Sequence, residues 1–169
     1  MEEPMQILSV INKFFTQQKN VVKSSFSGKR ALVTAGPTVE VIDPVRYVSN
    51  RSSGKMGYAI AEALRYKGAI VTLISGPTHL SLPEGINVVK VESADDMFQA
   101  VTERFAKQDI VIKAAAVSDY TPMDILEHKL KKQEGGLSVQ FKRTKDILKY
   151  LGENKTHQYL VGFAAETQN

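Results

Sequence analysis

The chain has 169 residues, 43% of them hydrophobic and 24% charged, with a formal net charge of +4 and no cysteine. That is about one domain of ordinary globular composition; lacking cysteine, it has no disulfide, thiolate metal site or cysteine nucleophile, which fits a cytoplasmic protein. No apolar run approaches the ~20 residues of a membrane span, no signal-peptide n-region and h-region are read in these residues, and the mild charge lacks the basic, aromatic-studded stripe of a nucleic-acid binder.

Residues 1–29 read as a helix and a linker. Met5, Leu8, Ile11, Phe14 and Phe15 fall at helical spacing, and residues 16–29 are small and polar. From Arg30 the pattern alternates between strand and helix. Ala31–Ala35 is a first strand. A helix follows from about Gly54 to Lys67, with Met56, Ile60, Ala63 and Leu64 facing inward and Gly68 as its stop. Ile70–Ile74 and Ile86–Val91 are the next strands. Ser93 caps a second helix, with Asp96 near N3 and Met97, Ala100, Val101 and Phe105 on the buried face. Ile110–Lys113 and Tyr159–Phe163 complete the strands. Apolar strands alternating with helices predict an α/β domain: a Rossmann-like, doubly wound parallel sheet over residues 30–169. A hairpin with arms Lys129–Gln133 and Leu137–Phe141, turning at Gly135-Gly136, is expected to project from it as a basic arm.

The connection from the first strand to the first helix is far longer than the usual 2–6 residues, and long ordered loops are usually functional. It carries Thr38, Asp43, Arg46, Asn50, Ser52, Ser53 and Lys55, and it enters the helix where backbone N–H groups and the positive dipole end favour an anion. Gly36-Pro-Thr38 and Gly76-Pro-Thr78 follow neighbouring strands and are expected side by side. With Ala114–Tyr120 and Gly162–Glu166 they fall at strand carboxyl ends, where open α/β sheets bind ligands. Small residues there either let a ligand approach or only permit tight packing. The lysines at 129, 131 and 132 read either as a solvated face or as neutralising charge for a polyphosphate. Ser53–Gly57 is no P-loop, because Met56 stands where Ser or Thr must reach Mg²⁺. No Gly-x-Gly-x-x-Gly follows the first strand, and no tyrosine has a lysine four residues on, which disfavours a dehydrogenase. His79, His128 and His157 share no metal spacing and read as surface residues.

Taken together, Thr34–Thr38, Asp43–Asn50, Ser52–Gly57, Ala114–Tyr120, Lys129–Lys132 and Gly162–Thr167 resemble the phosphopantothenoylcysteine synthetase family, the phosphopantothenate–cysteine ligases of coenzyme A biosynthesis. The resemblance spans essentially all of residues 30–169. In bacteria this ligase is usually the second half of a bifunctional protein, and residues 4–15 resemble the end of its flavin-dependent decarboxylase half. The resemblance implies CTP as co-substrate, Mg²⁺ as cofactor with no ligand assigned, FMN only if a decarboxylase half is present, 4′-phosphopantothenate and cysteine as substrates, and a homodimer. The carboxylate of 4′-phosphopantothenate would attack the α-phosphate of CTP; the amine of cysteine would then displace CMP.

By the same resemblance, Lys129 and Asn50 would be catalytic, Lys129 neutralising phosphate charge and Asn50 holding the pantothenoyl carbonyl. Nucleotide contacts would come from Gly36, Lys113, Ala114, Ala115, Asp119, Lys129, Lys145, Asp146, Ile147, Leu148 and Phe163. Substrate contacts would come from Arg46, Asn50 and Ala116, with Lys131 and Lys132 in a closing flap. Lys145 stands where some relatives have proline, so contacts there would run through the backbone. The family continues for several tens of residues past Asn169, so the chain is expected to be a fragment that folds but turns over poorly. Two rival readings are a nucleotide-dependent oxidoreductase of the same fold and an inactive nucleotide-binding fragment.

Overall fold

A computed structural model describes residues 25–131 and 137–164, so the expected helix over 5–15 and most of the linker lie outside the described residues. The described end of the linker is a turn at 25–28 that docks on the domain. Phe26 packs against the core, and its N–H donates to the Lys67 carbonyl at 3.1 Å.

The first strand, β1 (Arg30–Ala35), is buried at every residue after Arg30 and forms the centre of the sheet. β4 (Ile70–Ser75) and β6 (Ile110–Lys113) flank it in parallel. β5 (Asn87–Lys90) extends the sheet beyond β4, and β9 (Tyr159–Gly162) extends it beyond β6. The order β5-β4-β1-β6-β9 is the doubly wound arrangement expected, with its switch point between β1 and β6. Successive β1 residues serve opposite faces, as the two-residue repeat of a strand requires. Ala31, Val33 and Ala35 join Tyr58, Ala61 and Leu64 of α1 (Lys55–Tyr66). Leu32 joins Met97, Val101 and Phe105 of α2 (Ala94–Phe105), with Ile147 and Leu151 of α3 (Ile147–Asn154). Burying one such large side chain contributes about 1.5–3 kcal/mol, so both faces hold their helices firmly.

The capping box on α2 forms as expected: the Ser93 hydroxyl accepts from the Asp96 N–H at 3.1 Å, and the Ser93 N–H donates to Asp96 at 2.9 Å. Three expectations need correction. In α1 the inward face is Gly57, Tyr58, Ala61 and Leu64, while Met56 and Ala63 are exposed. The cause is Gly57, where a Cβ would stand 2.5 Å from the Ala35 Cβ. The bare glycine backbone lies against β1, and that rotates the helix. Next, the long loop contains a small sheet of its own, β2 (Val39–Val41) paired antiparallel with β3 (Tyr47–Ser49). Last, the second hairpin pairs β7 (Tyr120–Pro122) with β8 (Phe141–Arg143), not the arms expected; 129–131 and 137–140 form no strand. Leu130 is instead bound by side chains of the β2–β3 turn, which removes it from any ladder. The remainder of the expected turn, 132–136, lies outside the described residues.

Candidate active site

The loops leaving β1 and β6 are sewn together at the switch point. Thr34 Oγ1 accepts from the Ala115 N–H at 3.2 Å, and the Gly36 carbonyl accepts from the Ala116 N–H at 2.9 Å. Beyond them, the fully buried Thr38 accepts from the Ser118 N–H at 3.0 Å through Oγ1. Asn50, at the exit of β3, donates through Nδ2 to the carbonyls of Ala116 and Val117 at 3.3 and 3.2 Å. The seam continues when Thr144 donates its hydroxyl to the Ser118 carbonyl at 2.7 Å and its N–H to the Asp119 carbonyl at 2.9 Å. The alanine run therefore extends the pairing of the sheet past the strand ends. On the other side Gly76 permits a close approach, since a Cβ there would come within 1.7 Å of the Pro37 carbonyl oxygen.

On the β6–β9 side of the seam lie two adjoining clefts. One, of about 350 Å³, is lined by Lys113, Val117, Asp119, Tyr120 and Arg143 to Ile147. The other, of about 430 Å³, is lined by Lys113, Asp146, Leu148, Lys149, Gly162, Phe163 and Ala164. Lys113 and Asp146 belong to both. Asp146 is the N-cap of α3, its carboxylate accepting from the Lys149 N–H at 3.0 Å. Lys145 is not free in the cleft: its ammonium lies 2.9 Å from Asp95 and 4.8 Å from the centre of the Phe98 ring. The hydrogen bond from Lys145 holds the Asp95 carboxyl below the usual range.

Of the nucleotide residues expected from sequence, Lys113, Asp119, Lys145, Asp146, Ile147, Leu148 and Phe163 line these two clefts. Ala114, Ala115 and Ala116 lie in or beside the seam. Gly36 sits elsewhere, packed against Thr78 and Gly54 at the start of α1. That helix begins at Gly54 (φ 77); the Gly54 and Lys55 N–H groups donate to Ser52 and Ser53 Oγ at 3.3 and 3.5 Å, and the Met56 and Gly57 N–H groups are left for solvent or an anion. Lys129 and Lys131 are exposed and line none of these clefts, and Lys132 lies outside the described residues. Arg46 is turned to Asp43, 2.6 Å away, and to the Leu130 carbonyl at 3.0 Å. Burial alone would raise the Asp43 pKa, but hydrogen bonds from Val45, Arg46 and Leu130 hold the carboxyl far below the ordinary carboxylate range.

A larger cavity, about 890 Å³, lies beyond the seam at the ends of β4 and β5, with Pro37, Tyr58, Ser75, Thr78, Lys90, Glu92 and Asp96 in its wall. Its charges are one lysine against two carboxylates, a poor match for a polyphosphate. The smaller clefts set Lys113, Arg143, Lys145 and Lys149 against Asp119 and Asp146. Charge, not volume, makes them the better nucleotide site. Sequence reasoning missed α3, although Asp146 before Ile147 and Leu151 is a readable N-cap and i,i+4 pair. It also missed Thr144 and the hold of Asp43 on Leu130, 87 residues away, which nothing in the local sequence signals.

The family model for the DNA/pantothenate metabolism flavoprotein C-terminal domain matches residues 26–169. The coenzyme A biosynthesis bifunctional protein CoaBC of Bacillus subtilis (strain 168) is 51% identical over 170 residues, covering 100% of this chain and 41% of that protein. Its counterpart in Haemophilus influenzae is 47% identical with the same coverage. The chain thus spans about two-fifths of the length of these relatives. The crystal structure of the C-terminal domain of a CoaBC protein superposes with a TM-score of 0.77 at 52% identity, covering 87% of this chain and 69% of that one.

Proposed function

Because the chain belongs to the DNA/pantothenate metabolism flavoprotein C-terminal domain family, we propose that it carries the ligase step joining 4′-phosphopantothenate to cysteine, driven by CTP. The observation that carries this reading is the gathering of Lys113, Asp119, Lys145, Asp146 and Phe163 about the first turn of α3, at the strand ends beside the switch point. Relatives named for coenzyme A biosynthesis, similar along the whole chain, support it.

The first chemical step brings a carboxylate to a triphosphate, two anions, so positive charge must offset the repulsion. Lys113 and Arg143 supply it in the cleft, and Lys129 with Lys131 and Lys132 adds to it when the basic segment closes. Asp119 accepts from the amine edge of the cytosine. The carboxylate oxygen bonds to the α-phosphorus, pyrophosphate leaves, and an acyl-cytidylate remains. The amine of cysteine then attacks the acyl carbon, releasing CMP and leaving the amide. Asn50, with Ala116 beside it, turns an Nδ2 hydrogen from the Ala116 or Val117 carbonyl to the pantothenoyl carbonyl and so holds it; Arg46 keeps N–H groups to spare for the substrate. The phosphate end of 4′-phosphopantothenate lies at the start of α1, beside Gly36, Ser52 and Ser53, where the Met56 and Gly57 N–H groups face it.

Among the described residues no group of three or more His, Asp or Glu converges as a metal site. The fitting metal is Mg²⁺, which usually takes one or two carboxylates and completes its shell with phosphate oxygens and water. Asp119 and Asp146 are the carboxylates in the cleft, and the ion would supply charge neutralisation there. Homodimerisation is the assembly proposed, and the exposed Val45, Tyr47 and Val48 on the β2–β3 hairpin support it. The site of action is the cytoplasm, and among the described residues no helix is long and apolar enough to cross a membrane.

The test is pyrophosphate release by the full-length gene product from CTP and 4′-phosphopantothenate without cysteine, followed by CMP release when cysteine is added. Thermal protection by NADPH but not CTP would turn the reading towards the oxidoreductase.

A further inference from the structure

The segment 123–131 has no regular structure, yet it is fastened at one end to the β2–β3 turn. Leu126 donates its N–H to the Ile42 carbonyl at 3.0 Å. Four residues on, both main-chain groups of Leu130 are taken by one ion pair. Its N–H donates to Asp43 Oδ2 at 3.2 Å, and its carbonyl accepts from Arg46 Nη2 at 3.0 Å. The pair is well made: Arg46 Nε donates to the same Asp43 oxygen at 2.8 Å, while Oδ1 accepts from the N–H groups of Val45 and Arg46, each at 2.9 Å. Asp43 is 2% exposed. A charge so buried persists only with its partners in place, so the geometry around it is stiff. The turn that carries it is closed by its own backbone, with Ile42 N–H donating to the Arg46 carbonyl at 2.9 Å.

Leu130 lies between Lys129 and Lys131, both exposed. We infer that Asp43 and Arg46 are positioning residues that clamp the Leu130 main chain and so fix the root of the basic segment carrying Lys129 and Lys131. A lysine is a point charge on a flexible stem. Its value in an electrostatic site depends on where its backbone is held, and the clamp is the tie nearest the lysines; the others in the segment are the Leu126 bond and the Met123 N–H to the Gln140 carbonyl at 2.9 Å. The clamp also gives the turn a role beyond any substrate contact by Arg46. The kinetic consequence rests on the reading of Lys129 given above; the structural consequence does not.

Two readouts on the full-length protein separate these. Trypsin cuts after lysine, and the Lys129–Leu130 bond is the one whose N–H is clamped. With Asp43→Asn or Arg46→Gln, cutting after Lys129 and Lys131 should speed up about tenfold or more, the scale set by one lost charge-assisted hydrogen bond when cleavage follows local opening. Pyrophosphate release should fall by about 10- to 100-fold in kcat, with a smaller change in the KM for CTP, because misplacement of about 1 Å is enough for such a loss. Arg46→Lys, which keeps the charge but cannot fork to Asp43 and Leu130 together, should fall between. If Asp43→Asn does not fold by circular dichroism, Arg46→Gln, its side chain being partly solvated, carries the trypsin readout, and Asp43→Glu, which keeps the charge but moves the carboxylate, carries the kinetic one. Unchanged cutting in a folded variant overturns the clamp. Faster cutting with unchanged kcat overturns the positioning role. Should the unaltered protein release no pyrophosphate from CTP, the ligase reading fails, and trypsin alone decides the clamp.

Discussion

Replacing Thr38 by valine keeps the side chain's size and deletes one oxygen from the seam at the switch point. Thr38 is 0% exposed, and the Ser118 N–H that it receives is also buried. The main-chain bonds of Thr38, to the Ala116 carbonyl and from the Ser49 hydroxyl, survive the change. What is lost is the partner of one buried N–H, which costs about 1–3 kcal/mol. At roughly 2–4 °C per kcal/mol for a protein of this size, the melting temperature should drop by about 3–10 °C. Scanning calorimetry reads this directly, and Thr38→Ser, which keeps the hydroxyl and loses only a methyl, is the control. The damage should also reach the ligand, since Val117 and Asp119 on either side of Ser118 line the nucleotide cleft and Thr144 is bonded to both Ser118 and Asp119. CTP affinity in Thr38→Val should therefore weaken. A Thr38→Val melting point within about 1 °C of the unaltered protein, with Thr38→Ser the more damaged of the two, would show that methyl packing and not the hydrogen bond holds the seam.

Lys129→Gln should depress acyl-cytidylate formation by about 10²–10³ while leaving the melting temperature unmoved, as an exposed electrostatic group would; near-normal pyrophosphate release would return the lysines to a solvated face. Asn50→Asp keeps the shape but turns a donor to the Ala116 and Val117 carbonyls into a negative charge, so handling of the pantothenoyl part should suffer more than CTP binding, which calorimetry with each ligand separately would reveal. Asp43 has a folded-state pKa depressed below its ordinary 3.8. Its stabilisation is therefore fully present above that value and lost as pH falls below it. The stability deficit of Asp43→Asn should be constant above about pH 5 and shrink below about pH 4, and a deficit independent of pH in urea titrations would remove the carboxylate from the account.

The sheet was legible because its central strands β1 and β4 are buried on both faces and its α2 helix announces itself with Ser93 and Asp96. Both signals are local in sequence, and both survive packing. The face of α1 was not legible, because Gly57 contributes nothing to an apolar pattern, yet its missing side chain sets the rotation of the helix against Ala35. The second hairpin misled for a related reason. Two glycines and an alternating arm look like a turn and a strand, but the pairing begins at Tyr120, and Leu130 is held by a partner 87 residues away. At the candidate site, the convergence of strand ends was readable from topology, which brought Lys113, Asp119 and Phe163 to neighbouring clefts. The clamp on Leu130 and the tie of Lys145 to Asp95 were not, since each joins residues with no sequence relation. Resemblance to a family supplied roles for individual residues that spacing alone leaves open, and the positions of Lys129 and Gly36 away from the clefts mark where those roles need direct measurement.

The central claim is that the cleft beside α3 takes a cytidine nucleotide to activate a carboxylate. Pyrophosphate release by the full-length protein, with 4′-phosphopantothenate present and cysteine absent, measures that step alone. Release with CTP, and far less with ATP at the same concentration, is the expected result. Release with neither nucleotide, or equally with both, would contradict it.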